Sequence, residues 1–480
     1  MLAASAAAME EQYHPAVDNA LLSQIRKNSP LGVMSVSSGA PVTYCEANNS
    51  LNEPLLRNTF YMDSLTSHVR ERTVGRPVHT KGAGAFGYFE VTHDISHICK
   101  ASFLSEVGKK TQVAVRFSPA TGEVGSSDLE RGARGFAVKF YTEEGIFDLP
   151  GLNLPIFFTK DPSMFAKFVY SLRKDPALYL FNPMGLWDII IAHPESISMF
   201  LIVFGDRGLP ASYRHMCGHN LHTLQVENEQ GVQSFMRWHL TPREGGKGLG
   251  AAEAEKIKLV DPDYYSRDLF ESIEKGNYPC WDVTVQIVTE EDVNRFGYGV
   301  FDITRKLSET EFPEHPVGKM CLNRNPKNYF AEIEQLAFCP SNLVNGIHGA
   351  PDRMYEARRF AYRDAQLQRL GPDAKQIPVN CPFHVPSDNS DSSDGSVGYR
   401  PTQKTGLIKI KEQEPYTFDQ AAYYYDDLSD EERDRTIQTI NAMLTPASPP
   451  VQKQVIELLT TVHPDLGSRV AEGMNPTKTS

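Results

Sequence analysis

Arg358-Arg-Phe-Ala-Tyr-Arg-Asp-Ala-Gln-Leu-Gln-Arg369 is the stretch whose reading decides the fold. As a helix it sets Arg358 and Tyr362 one turn apart on one face, with Arg369 roughly three turns beyond Arg358. A phenol held beside a fixed guanidinium gives up its proton more readily, because the cation favours the tyrosinate. Tyrosinate is a hard anionic oxygen ligand, one of the side chains that can hold haem iron. Alone, the stretch also looks like any solvated helix with scattered arginines. What surrounds it decides.

Upstream lies Arg76-Pro-Val-His-Thr-Lys-Gly-Ala-Gly-Ala-Phe-Gly-Tyr-Phe-Glu-Val-Thr-His-Asp94. Together the two stretches resemble the haem catalase family, with its distal-histidine signature early and an Arg-x-Phe-x-Tyr haem-ligand signature late. The resemblance extends to Val113-Ala-Val-Arg-Phe-Ser118, Arg134-Gly-Phe-Ala-Val-Lys-Phe-Tyr141, Leu322-Asn-Arg-Asn-Pro-Lys-Asn-Tyr-Phe330 and Ile377-Pro-Val-Asn-Cys-Pro382. It runs in unbroken family order from about residue 55 to about residue 465. It implies an α+β chain with the catalase fold: an antiparallel β-barrel with helical inserts, a wrapping segment and a C-terminal helical bundle. The expected divisions are an N-terminal arm at 1–70, the barrel haem domain at 71–330, a wrapping segment with the haem-ligand helix at 331–405, and a helical domain at 406–480.

Roles follow from the resemblance, residue by residue. His79 matches the distal base that moves a proton between the two peroxide oxygens, a task suited to a group titrating near neutrality. Ser118 matches the hydroxyl that orients that ring. Arg76, Arg116 and Arg369 match the positions that hold the haem propionates, for which guanidinium forks are suited. Phe165 and Phe338 match haem-wall phenyls, and His222 with Asp352 a polar pair near the proximal side. Tyr362 matches the iron ligand of haem b, and Arg358 its charge partner.

The departures are as informative. Where the family has Gly-Asn-Asn-x-Pro, this chain has Gly151-Leu-Asn-Leu-Pro155, so Leu152 replaces the Asn that orients peroxide. The valine and aspartate of the family's main channel fall at Ala120 and Gly132, which makes the approach wider and less polar. The NADPH pocket is matched only in part. Arg207 is kept, but its Lys and His partners are Thr241 and Ser198, and the Val-Trp-x-His edge is Lys306-Leu-Ser-Glu309. Such a pocket could hold another ligand. After Tyr362 the family's Pro-Asp-Thr-His-Arg-His-Arg becomes Arg363-Asp-Ala-Gln-Leu-Gln-Arg369, which keeps the propionate arginine.

Composition and pattern bound the rest. A formal net charge of −12 over 480 residues argues against nucleic acid or an anionic membrane as partner. The longest apolar run, Met199-Phe-Leu-Ile-Val-Phe204, is core-sized. The seven cysteines are scattered without a Cys-x-x-Cys and read as free thiols in a reducing compartment. Pro476-Thr-Lys-Thr-Ser480 is not a Ser-Lys-Leu address, so cytosol is the expected location, with peroxisome the alternative. Strand-like alternation marks Val113–Phe117, Phe136–Tyr141 and Trp281–Val288. Helices are expected over about 162–172, 187–200 and 451–461, and from a capping box at Ser429 and Glu432. Residues 387–396 are a solvated loop by composition. Gly82-Ala-Gly-Ala-Phe-Gly87 fits the dinucleotide fingerprint, but the Tyr-Phe-Glu-Val-Thr after it reads as a strand where a helix is required. Close backbone packing explains the glycines better.

Three functions compete. The lost amide and the widened approach favour a haem-dependent oxidase that uses peroxide on a larger organic substrate, in secondary metabolism, with alkaloid ring formation the expectation by analogy with diverged family branches. The allene-oxide branch fits poorly, since Val78 precedes His79 and Leu152 stands for Asn. The alternative is an ordinary catalase disproportionating hydrogen peroxide; a third is a haem-binding protein without turnover. The arm at 1–70 has too little periodic pattern to fold alone, and a homodimer or homotetramer is expected.

Overall fold

The computed structural model describes residues 34–42, 58–70, 74–175, 177–180, 182, 184–381 and 417–474; the expected loop at 387–396 lies outside them. The described residues 34–70 belong to a unit of their own, with a short ladder of β1 (Met34–Ser35) on β2 (Pro41–Val42) and helix α1 (Thr59–Arg70).

The second unit is built on nine strands: β3 (Ala83–Val91), β4 (Lys110–Pro119), β5 (Arg134–Thr142), β6 (Gly145–Leu152), β7 (Gly218–His219), β8 (Leu224–Glu227), β9 (Gln233–Pro242), β10 (Cys280–Val288) and β11 (Glu314–Arg324). All pair antiparallel, and β10 contacts both β11 and β9, so eight of them close into a barrel with β8 beside β9. Closure removes the unpaired edge that an open sheet would expose. Alternation assigns the faces. Val113, Val115 and Phe117 of β4 point into the barrel core with Phe136, Trp238 and Trp281. The residues between them, Ala114, Arg116 and Ser118, belong to the outer face. Phe117 stacks on Tyr213 with ring centroids 5.2 Å apart.

The three strand-like runs lie inside β4, β5 and β10. The fingerprint-like glycines lie in and beside β3, with no phosphate loop. A Cβ on Gly84 would lie 2.6 Å from Ile333 Cδ1, and one on Gly87 would fall on the carbonyl of Cys321.

Helices fill the connections: α2 (Pro162–Ser171), α3 (Met184–Ala192), α4 (Ile197–Phe204), α5 (Ala251–Val260), α6 (Tyr264–Glu274), α7 (Glu290–Phe296) and α8 (Arg353–Leu370). The helix expected over 187–200 is two helices bent by 109°. Pro194 supplies no N–H, and His193 before it takes φ −134° and ψ 72°, outside the helical region. All of α4 is buried, as its apolar run requires. Four helices close the chain: α9 (Asp419–Asp427), α10 (Asp430–Leu444), α11 (Pro449–Val462) and α12 (Pro464–Met474). Ser429 and Glu432 form the expected capping box on α10.

One expectation is overturned. Cys280 and Cys321 are joined in a disulfide, because β10 and β11 pair in a register that sets them opposite each other with Cα atoms 4.2 Å apart. Their separation of 41 residues hid this from a local reading. Cys99, Cys217, Cys339 and Cys381 are free thiols.

Candidate active site

The candidate site lies on the outer face of β4–β6, where α8 crosses it. His79 stands just ahead of β3 in the left-handed region at φ 58°, a costly conformation for a residue with a Cβ. It is held from both sides: its N–H donates to the Ala120 carbonyl at 3.2 Å, and its carbonyl accepts from Arg116 at 3.0 Å. Its ring Nδ1 lies 3.1 Å from Ser118 Oγ. A Cβ on Gly135, paired with Ser118 across β4 and β5, would meet Nδ1 at 3.0 Å, so only glycine leaves room for the ring. Burial pushes the imidazole down to about 4, and the cation of Arg116 adds to the effect. His79 is therefore neutral at physiological pH.

Helix α8 starts from Asp352, whose side chain accepts the Tyr355 N–H and also bonds to His222 at 2.8 Å. The expected polar pair thus anchors the helix. Arg358 and Tyr362 stand one turn apart, and Arg358 donates to the Tyr362 hydroxyl at 2.9 Å and to the Pro150 carbonyl of β6 at 2.9 Å. Tyr362 packs with Phe86, Ala114, Ile333 and Phe338. Phe165 on α2 stacks near Phe157 and Phe158.

Arg76, Arg116 and Arg369 converge at the end of α8. Arg76 bonds to the carboxylate and carbonyl of Glu334 and the Leu336 carbonyl; Arg369 reaches the same two carbonyls; Arg116 reaches the carbonyls of His79 and Thr80. Burial, then the neighbouring cations, hold Arg76 well below the usual guanidinium range, and burial takes Arg369 down to about 10. Of the three guanidiniums only Arg76 meets a carboxylate, that of Glu334 at 3.2 Å. Arg116 Nε and Arg358 Nη1 are buried without a partner. Such a donor set lacks anions, and a haem would fit it, with Arg76, Arg116 and Arg369 able to hold its propionates and Tyr362 its iron, Phe338 packing beside Tyr362.

Leu152 is buried in an apolar cluster with Leu221, Ile303 and Met354, and pairs with Gly135, so it lies one strand beyond the His79 ring. A Cβ on Gly132 would find nothing closer than Thr121 Oγ1 at 4.0 Å, so that position is open. Arg207 is exposed, Ser198 is buried in α4, Thr241 is exposed, and Lys306 pairs with Glu309.

Sequence reading missed Gly135 and Glu334. Neither carries a local signal, since each acts through a partner distant in the chain.

The histidines make folding acid-sensitive. Burial lowers His79, His219, His222 and His239 alike. Their unfolded forms bind protons below about pH 6.5 while the folded forms do not. Stability is therefore full above that pH and is lost as pH falls towards 4, by on the order of 3 kcal/mol for His79 alone. Urea unfolding of the haem-free chain at pH 7.5 and pH 5 should show the midpoint falling; an unchanged midpoint would contradict the burial.

A proton acceptor and an arginine-held phenol on the same strands, with a second arginine set nearby, form a constellation suited to haem-dependent peroxide chemistry. Comparison with known proteins gives the family. Residues 36–420 match the catalase family, and 411–474 the family described as catalase-related immune-responsive. The catalase of Drosophila melanogaster is 39% identical over 482 residues, spanning 94% of this chain and 95% of its own length. That of Cavia porcellus is 40% identical, spanning 87% and 84%. Catalase A from Saccharomyces cerevisiae superposes with a TM-score of 0.81 at 34% identity, covering 92% of this chain and 99% of its own. This chain belongs to the catalase family, oxidoreductases that act on hydrogen peroxide and generally bind haem iron.

Proposed function

We propose that this protein disproportionates hydrogen peroxide, 2 H2O2 to 2 H2O and O2, with haem b held through Tyr362. The observation that carries the proposal is the convergence of neutral His79 and the Arg358–Tyr362 pair on the same strands, β4–β6. Bound haem would supply the metal that gives two electrons to one peroxide and takes two back from the next. The chain supplies the proton path. With Nδ1–H donating to Ser118, Nε2 of His79 offers a lone pair that takes a proton from one peroxide oxygen and returns it to the other as the O–O bond breaks. Tyr362→Phe is expected to abolish the tyrosinate-type haem spectrum. Unchanged haem content and spectrum would rule this ligand out.

The relatives' names support disproportionation, the alternative of the sequence reading, and the alkaloid expectation finds no support in them. One observation favours a second reading, peroxide-driven oxidation of an organic molecule: apolar Leu152 beside the distal ring, with an open position at Gly132. NADPH is left out of the proposal.

A homodimer or homotetramer is proposed, in line with the usual assembly of catalases. Sedimentation should show a multiple of the 53.7 kDa chain, and a monodisperse monomer would overturn it.

A further inference from the structure

The turn that carries His79 is tied at each residue from 79 to 82. His79 has its Ala120 and Arg116 partners, and Thr80 Oγ1 donates to the Arg76 carbonyl at 2.8 Å. The Gly82 carbonyl accepts from the Tyr329 hydroxyl at 2.7 Å. Lys81 reaches across to another segment. Its ammonium donates to the Ser126 carbonyl at 2.7 Å and to the Asp263 carboxylate, and lies 3.3 Å from Asp128 Oδ1. The Lys81 side chain is 12% exposed and that of Asp128 is 0% exposed, so the pair is shielded from water.

Asp128 is fixed from its other side. Its Oδ2 accepts from the N–H and the hydroxyl of Ser266, in the first turn of α6, at 3.0 and 2.9 Å. Its own N–H donates to the Pro262 carbonyl at 2.8 Å. Its carbonyl, with those of Glu130 and Gly132, accepts from the buried Arg134. The stretch 120–133 is therefore closed at its ends, where the Ala120 N–H meets the Ala133 carbonyl, and pinned in its middle. Both approach positions, Ala120 and Gly132, lie within it. Lys81, two residues past His79, ties that middle to the strained turn. A left-handed residue with a Cβ persists only where its surroundings over-determine it. A buried ion pair completed by hydrogen bonds is a stiff tether, and removing one partner leaves the other charge uncompensated.

We propose that Lys81, through Asp128, is a positioning residue for the proton transfer at His79, holding the strained turn against the approach segment so that the imidazole stays aimed and shut off from water. Lys81 takes no proton itself, and the proposal rests on the role given to His79 above. The charges facing His79 are all cations: Arg116 of β4, Arg358 of α8 and Arg76 of its own turn. Those facing Lys81 are Asp128, Asp261 and Asp263. With the turn loosened, water reaches the ring and the burial that holds it down to about 4 is relieved. The ring then protonates nearer its ordinary range, with the three cations still opposing the change.

The test is the pH profile of peroxide consumption by the holoenzyme. Lys81→Met is expected to be slower by about 10–10²-fold, the range for a small misplacement of a reacting group. The pH below which its rate falls should move up by roughly one unit or more, because the ring is no longer dry. Haem content and the Tyr362-dependent spectrum should be unchanged, since Arg358 and Tyr362 stand on α8. Lys81→Arg keeps the cation and should recover most of the rate together with the wild-type profile. Asp128→Asn keeps an oxygen for Ser266 but removes the charge; it should shift the profile in the same direction, and it carries the test if Lys81→Met does not fold. A lowered melting temperature in these two variants, with the rate and profile of the wild type, would assign the pair to stability alone and overturn the proposal. A slower rate with an unmoved profile would overturn it too. A full rate in His79→Ala would instead sink the reading of the site on which the proposal rests.

Discussion

His79→Ala is expected to lower peroxide consumption by about 10²–10⁴-fold, the range for loss of a positioned general acid–base. The imidazole combines a neutral state at working pH with hydrogen-bond support, from Ser118 on its ring and Ala120 on its backbone. With the ring held down to about 4, the proton-accepting form is present at every pH above that value. The wild-type rate should stay flat from about pH 5 upward and fall only as pH approaches 4. Haem content and the Tyr362-dependent spectrum should survive the substitution, because Arg358 and Tyr362 stand on a different element. The backbone gives an independent check. At φ 58° an alanine keeps the strain of the left-handed region, so His79→Gly should be more stable to heat than His79→Ala, by on the order of 1 kcal/mol, with the same loss of activity. A variant keeping more than a tenth of the wild-type rate would remove His79 from the proposed mechanism.

What could be read in advance was what repeats locally. Val113–Phe117 and Trp281–Val288 alternate between a wet and a dry face, and a period of two is visible in five residues. Arg358 and Tyr362 are one helical turn apart, so their hydrogen bond needed only the helix. Ser429 and Glu432 cap the helix they start by contacts within four residues. What escaped depends on register between distant strands. Cys280 meets Cys321, Gly135 meets the His79 ring, and His219 falls beside Leu152 only once the barrel has closed. The bend at Pro194 lay between the two levels, since its proline was in view but the buried apolar run read as one continuous helix. Resemblance carried the arginines to their places; Glu334, which Arg76 and Arg369 share, had no such guide.

Leu152→Asn is expected to raise oxygen evolution from hydrogen peroxide by about tenfold or more. Disproportionation needs two peroxides in turn. The first requires the proton path of His79, which this chain keeps. The second must be oriented as it gives up its electrons, and a side-chain amide on the distal wall would do that through a hydrogen bond. Leu152 offers none, and loss of one preorganised donor costs on the order of 10²-fold in comparable sites. Its place makes the substitution informative, since it pairs with Gly135, which touches the His79 ring, so an amide there enters the same space. The substitution carries a penalty. Leu152 is buried with Leu221, Ile303 and Met354, and a buried amide short of partners costs about 1–3 kcal/mol, so the melting temperature should fall while oxygen evolution rises. Leu152→Ala separates donor from space: it opens the wall without a hydrogen bond and should not raise the rate. Adding His79→Ala should silence both backgrounds. A wild type that already evolves oxygen at a full catalase rate, unchanged in Leu152→Asn, would remove the main support for organic oxidation and leave disproportionation alone.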